Sequence, residues 1–114
     1  MTDTNFTIKQ GSEWSRTIIL KDDSGTVINL SGYTAKMQIR KEKDKTSQLY
    51  DELSTTNSRI TITAVEGKLV LSIASSVSDK YRFTKAYYDL EIIQGSSITR
   101  ILQGNIIINK NVTD

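Results

Sequence analysis

Tyr87-Tyr88-Asp89-Leu90-Glu91-Ile92-Ile93 and Ile98-Thr99-Arg100-Ile101-Leu102-Gln103-Gly104-Asn105-Ile106-Ile107-Ile108, separated by Gln94-Gly95-Ser96-Ser97, decide the fold. Both runs are rich in β-branched and aromatic residues, and a four-residue Gly/Ser loop joins them, so together they predict an antiparallel hairpin. In the first run Tyr88, Leu90 and Ile92 share one face, and Asp89 and Glu91 share the other. That is the period of two of a half-buried strand.

Outward from this hairpin the same pattern recurs. Ala35, Met37 and Ile39, led by Tyr33, alternate with Thr34, Lys36, Gln38 and Arg40, giving the clearest single strand in the sequence. Ile60-Thr61-Ile62 and Leu69-Val70-Leu71-Ser72-Ile73 flank Glu66-Gly67 as another hairpin. Phe6 and Ile8 open the chain as a short strand before the turn Gln10-Gly11-Ser12. Trp14, Ile18 and Leu20 share one side of the next strand with Arg16, which implies a rim position or a bulge. Lys21-Asp22-Asp23-Ser24-Gly25 is a turn, because Asp oxygens accept from nearby backbone N–H groups and Gly takes positive φ. Val27, Ile28 and Leu30 are expected as a short return strand, and Leu49, Tyr50 and Leu53 as a return to the core. Ser75 to Phe83 is the one expected helical segment, with Val77 and Tyr81 four apart and Ser75 or Ser76 as N-cap. At 114 residues the chain is expected to be one domain, residues 1–114, with seven to nine short strands and no repeat. The expected fold is an all-β, immunoglobulin-like antiparallel β-sandwich with one short helical turn; an open barrel is the alternative.

Composition narrows the chemistry. The 114 residues can bury roughly two-thirds of their unfolded surface, and with no cysteine the core must hold by packing alone. Without histidine, the commonest general base and metal ligand is missing as well. A formal charge of +2 gives no electrostatic case for nucleic acid. Met1 to Asn5 shows neither a basic nor an apolar leader pattern, and no apolar run is long enough to span a bilayer. The expectation is therefore a protein folded in a cytoplasm. Three matches to the Asn-glycosylation pattern, at Asn5, Asn29 and Asn111, are set aside for the same reason.

No serine sits in a nucleophile elbow, so catalysis is not expected. Asp22, Asp23 and Ser24 could offer oxygens to Ca²⁺, but they lack the ligand ladder of a calcium loop, and neither metal nor cofactor is expected. Arg40, Lys41, Lys43 and Lys45 form a basic segment interleaved with Glu42 and Asp44, which makes a solvated loop the better account. Trp14, Tyr33, Tyr50, Tyr81, Tyr87 and Tyr88 could stack on sugars, yet most carry core parity.

Apolar residues where alternation calls for polar ones are more informative. They fall at Ile18-Ile19, Ile92-Ile93, Ile101-Leu102 and Ile106-Ile107-Ile108. The Ile98 to Ile108 strand has one charge and no proline, so it would be hazardous as a bare edge and is expected to be covered. Ile93, Ile107, Arg40, Lys41, Lys43 and Lys45 are the expected protein-contact residues, placed outward by parity or composition. The polar ends, Met1 to Asn5 and Asn109 to Asp114, are expected to be ordered as arms by a neighbour.

Phe6-Thr7-Ile8-Lys9-Gln10-Gly11-Ser12-Glu13-Trp14, the Lys21 to Gly25 turn, Asn29-Leu30-Ser31-Gly32-Tyr33-Thr34-Ala35-Lys36-Met37-Gln38-Ile39-Arg40, Gly67 to Ile73, Tyr87 to Ile92 and Arg100 to Gly104 together resemble small structural proteins of tailed bacteriophages. These include the amino-terminal domain of lactococcal-type baseplate upper proteins. The resemblance implies a non-catalytic virion component, made in the bacterial host cytoplasm, that docks on a repeating protein surface. Its partners would be major capsid, neck, tail or baseplate subunits. In the baseplate-type relatives this domain precedes receptor-binding parts; here the sequence runs to Asp114, so capsid decoration stands beside the adaptor role. A carbohydrate-binding or host-adhesion module using exposed aromatics is the alternative from another class.

Overall fold

A computed structural model describes residues 4–44 and 46–110. Eight strands form two sheets: β1 (Phe6–Lys9), β2 (Trp14–Ile19), β3 (Thr34–Arg40), β4 (Leu49–Ser54), β5 (Ile60–Thr63), β6 (Lys68–Ile73), β7 (Lys85–Gln94) and β8 (Ser97–Asn109). One sheet has five strands in the order β1-β8-β7-β3-β4, and the other three in the order β2-β6-β5. The all-β sandwich expectation is met, with one exception to the antiparallel pattern: β1 runs parallel to β8.

The inner faces follow the period of two. Ala35, Met37 and Ile39 of β3, Ala86, Tyr88, Leu90 and Ile92 of β7, and Ile106 and Ile108 of β8 are buried. They share one hydrophobic cluster with Leu69, Leu71 and Ile73 of β6 and with Trp14 and Ile60. Each large aliphatic side chain so buried contributes about 1.5–3 kcal/mol, before the conformational entropy it loses is counted.

The β7–β8 hairpin is longer and tighter than expected. Its strands extend to Gln94 and from Ser97, leaving only Gly95 and Ser96 in the turn, with Gly95 at φ 59° in the first central position. Arg16 has inward parity without any register shift in β2; the strand lies at the sheet edge and the guanidinium rests over the Phe6 and Trp14 rings, at 5.6 and 5.8 Å.

Other expectations need correction. Val27 to Leu30 is not a strand: a single bridge joins Lys21 to Val27, and the Ile28 and Leu30 amides donate to the Leu20 and Ala64 carbonyls instead. Only Leu30 reaches the core there, and Leu49, on edge strand β4, is exposed. The helix expected from Ser75 to Phe83 is cut to α1 (Ser75–Ser78), and a second short helical piece, a 3₁₀ turn at Ala64–Glu66, lies between β5 and β6. Neither Ser75 nor Ser76 caps α1; Ala74 holds the N-cap position with no side-chain bond. The chain leaves the helix early because Ser78 and Tyr81 are both pulled inward. The fully buried Ser78 hydroxyl accepts from the Gly11 amide at 3.1 Å and donates to the Ser12 carbonyl at 2.8 Å, which locks α1 onto the β1–β2 turn. Of the amino-terminal arm, Thr4 is bound to its own sheet, its amide donating to the Gln103 carbonyl and its carbonyl accepting from the Tyr88 hydroxyl. Met1–Asp3 and the Asn111–Asp114 part of the other arm lie outside the described residues.

Gly67 closes the 3₁₀ turn at φ 59°, where a Cβ would stand 2.6 Å from the Ile28 carbonyl oxygen and 2.9 Å from that of Leu20. Gly67→Ala combines left-handed strain with overpacking and is expected to cost about 3 kcal/mol. Gly25→Ala, at φ 86° with open space around it, is expected to cost only about 1 kcal/mol. Urea unfolding of the two variants checks this; equal losses would show that packing at Gly67 contributes nothing.

Candidate functional site

The outer face of the five-stranded sheet gathers most of the side chains with chemistry. Pairing places Lys36 beside Glu91, and Glu91 beside Arg100, in one row; Gln38, Asp89 and Gln103 form the next, and Arg40, Tyr87 and Asn105 the third. Alternation forces this on β3 and β7, whose intervening residues fill the core, and on β8 the register shift opposite Leu90/Glu91 brings Arg100 to the face of Gln103 and Asn105. A depression of ≈ 160 Å³ opens in the second and third rows, walled by Gln38, Arg40, Tyr87, Asp89, Arg100 and Gln103, with Glu42, Lys43 and Asp44 along its rim.

Its polar groups are held in place by one another. Gln38 Nε2 donates to Glu52 Oε1 at 2.8 Å, and Arg40 donates to Gln38 Oε1 at 3.0 Å and to the Ser47 carbonyl at 2.8 Å. Arg100 lies 3.5 Å from Asp89 and 3.3 Å from Gln103 Oε1, longer than a strong charge-assisted bond. Lys43 and Lys85 sit 5.6 and 5.7 Å from the centre of the Tyr87 ring. Hydrogen bonds from Thr46, backbone first and side chain second, hold the Asp44 carboxyl below its ordinary value and fix the loop.

Of the expected contact residues, Ile93 and Ile107 lie on this same outer face, at opposite ends of β7 and β8. Ile107 is 39 % exposed and Ile93 half-buried. Arg40 and Lys43 belong to the depression, with Arg40 occupied in anchoring the loop, whereas Lys41 is exposed but does not line it. Lys45 lies outside the described residues. Sequence reasoning named Tyr87 only as one ring of a possible sugar platform and did not single out Gln38, Asp89, Arg100 or Gln103; outward parity was the available signal for Gln38, Tyr87 and Asp89, whereas Arg100 and Gln103, three apart on β8, reach one face only through the register shift at Leu90/Glu91. The aromatic platform does not assemble from the other rings. Trp14 and Tyr81 are each 6 % exposed, and Tyr50 stacks on Phe83 with centroids 4.3 Å apart. Asp22 uses its Oδ1 to accept from Ser24 and Thr26, as the turn reading requires. Among the described residues no group of three or more acidic, His or Cys side chains could hold a metal ion, and no helix is long and apolar enough to cross a membrane.

A second titratable cluster lies apart, under β4. Arg59 grips Asp51 with two bonds of 2.8 and 2.7 Å, and the Tyr81 hydroxyl donates to the same carboxylate at 2.6 Å. Burial alone would raise the Asp51 carboxyl, but the Arg59 and Tyr81 bonds and the Arg59 charge outweigh it and hold it below its ordinary value. Burial, then the bond to Asp51, pushes the Tyr81 phenol up. Perturbed groups often mark active sites, but here the carboxylate is fully engaged in tying β4 to the segments around Arg59 and Tyr81. No family model matches the chain, and no curated protein matches it.

The signs of the two shifts give a pH profile. The lowered Asp51 contributes stability that is present above about pH 4 and lost as pH falls through its folded value; the raised Tyr81 contributes stability present below about pH 10 and lost at higher pH. Asp51→Asn is expected to cost about 2 kcal/mol at pH 7 and to flatten the acid limb, while Tyr81→Phe flattens the alkaline limb. Denaturant melts across pH check this, and an unchanged acid slope in Asp51→Asn would remove the triad from the account.

Proposed function

We propose that the chain is a non-catalytic structural module of a tailed-bacteriophage virion, made in the host cytoplasm and docking on a repeating protein surface as capsid decoration or as a tail or baseplate adaptor. One observation carries the docking part. β1 pairs only with Ile106–Asn109 of β8, and among the described residues no strand pairs the free side of Ser97–Leu102. In that half-strand Ile98 is 61 % exposed and stands beside Ile93, so an apolar pair adjoins open backbone groups, the features by which a sheet edge receives a partner. The virion part is supported by the resemblance of the strand-and-turn sequences to phage structural domains. The sheet order also suits it. β2-β6-β5 against β8-β7-β3-β4 is compatible with the immunoglobulin-like sandwich that the resemblance implies. The partners are then capsid, neck, tail or baseplate subunits.

Cryo-EM of particles that carry the chain tests the reading. Repeated sandwich density with the Ile93–Ile98 end against a neighbour is expected, over the shell for a decoration protein or at the tail for an adaptor; its absence from the particle would overturn the proposal. Ile98→Lys, at an exposed position, should keep the melting temperature and lower incorporation into purified particles by about tenfold, equivalent to about 1.4 kcal/mol.

A further inference from the structure

We propose that the depression on the outer face of the five-stranded sheet binds a single ring of a neutral saccharide. At ≈ 160 Å³ it is smaller than the roughly 300–1,000 Å³ pockets that take drug-sized ligands, and it suits one sugar ring.

Charge selects the class of ligand. Among the lining residues Arg40, Lys43 and Arg100 are matched by Glu42, Asp44 and Asp89, and with Lys85 beside Tyr87 the surroundings are only weakly positive, which does not make the concentrated basic field that a phosphate wants or the acidic one that a cation wants. It does offer donors and acceptors side by side. A hydroxyl group both donates and accepts, and can serve Asp89 and Arg100 together, whose mutual distance of 3.5 Å leaves their pairing loose. Gln38 and Arg40 are already fixed by Glu52 and the Ser47 carbonyl, so little ordering is required when a ligand enters. Tyr87 supplies an aromatic wall for the C–H face of the ring, from which the ligand displaces the Lys43 and Lys85 side chains; it is the third residue of β7, a strand paired on both sides, which holds the wall in place. Of the aromatic residues that the sequence offers for sugar, Trp14, Tyr81 and Tyr88 are in the core, and Tyr87 is the one that lines the depression from the outer face.

The site is separable from the proposed docking edge, because it shares only Arg100 with the free half of β8, while Gln38, Arg40, Tyr87 and Asp89 stand on β3 and β7. The test is amide shift mapping of the full chain with glucose, galactose, rhamnose and N-acetylglucosamine, and with inorganic phosphate as the anionic probe. At least one sugar is expected to shift the Tyr87, Asp89, Arg100 and Gln103 amides saturably, with a dissociation constant on the order of 1 mM. Asp89→Ala and Tyr87→Leu are each expected to weaken binding about tenfold, with the dispersed spectrum of the core unchanged. A flat response to the whole panel, shifts confined to other surfaces, or equal shifts from phosphate would each overturn the proposal.

Discussion

The seam between the two sheets is the constraint on which the remainder depends. Met37, Ile39 and Leu90 from one sheet, and Leu69, Leu71 and Ile73 from the other, are fully buried in a single cluster. With no disulfide to assist, this contact sets the register of every strand, because a slip of one residue would turn each apolar row to water. The outward rows of charge and amide are therefore a consequence of the seam: once Tyr88, Leu90 and Ile92 are committed inward, Tyr87, Asp89 and Glu91 have only the outer face.

How much of this was legible follows from the range of the forces involved. Alternation is local, so β3, β6, β7 and the inward residues of each could be read directly. The lack of a return strand at Val27 and the early end of the helix begun at Ser75 could not, because both depend on distant partners. Val27 and Ile28 crowd against Gly67, and Ser78 is held by Gly11 and Ser12 across 67 and 66 positions of sequence. Leu49 looked like core by composition, yet an edge strand has one less neighbour to cover it.

The same distinction separates the two polar clusters. Parity shows that Gln38, Arg40 and Asp89 point outward, but only the antiparallel register places them in adjacent rows, and only the turn of the 41–47 loop brings Lys43 over Tyr87. Nothing local announces that Asp51 meets Arg59 and Tyr81; the pairing spans 30 residues and requires the segment after α1 to fold back across β4. Of the two clusters, the one with tight, saturated bonds supports the fold, and the one with loose pairs is available to a ligand.

β8 combines both demands in one strand. Its carboxyl-terminal half is covered by β1 and closes the core through Ile106 and Ile108. Its amino-terminal half keeps a free side with exposed Ile98, the arrangement that elsewhere invites indiscriminate pairing. Two features restrain it. Arg100 puts a cation in the open stretch, and the register shift opposite Leu90/Glu91 makes Ile101 the extra residue, which bends and twists that half of the strand. A bent, singly charged edge is a poor template for another copy of itself, since two such edges would bring like charges and mismatched curvature together. It remains open to a partner shaped to the bulge, so in the proposed docking role the feature that hinders self-pairing would also select the partner.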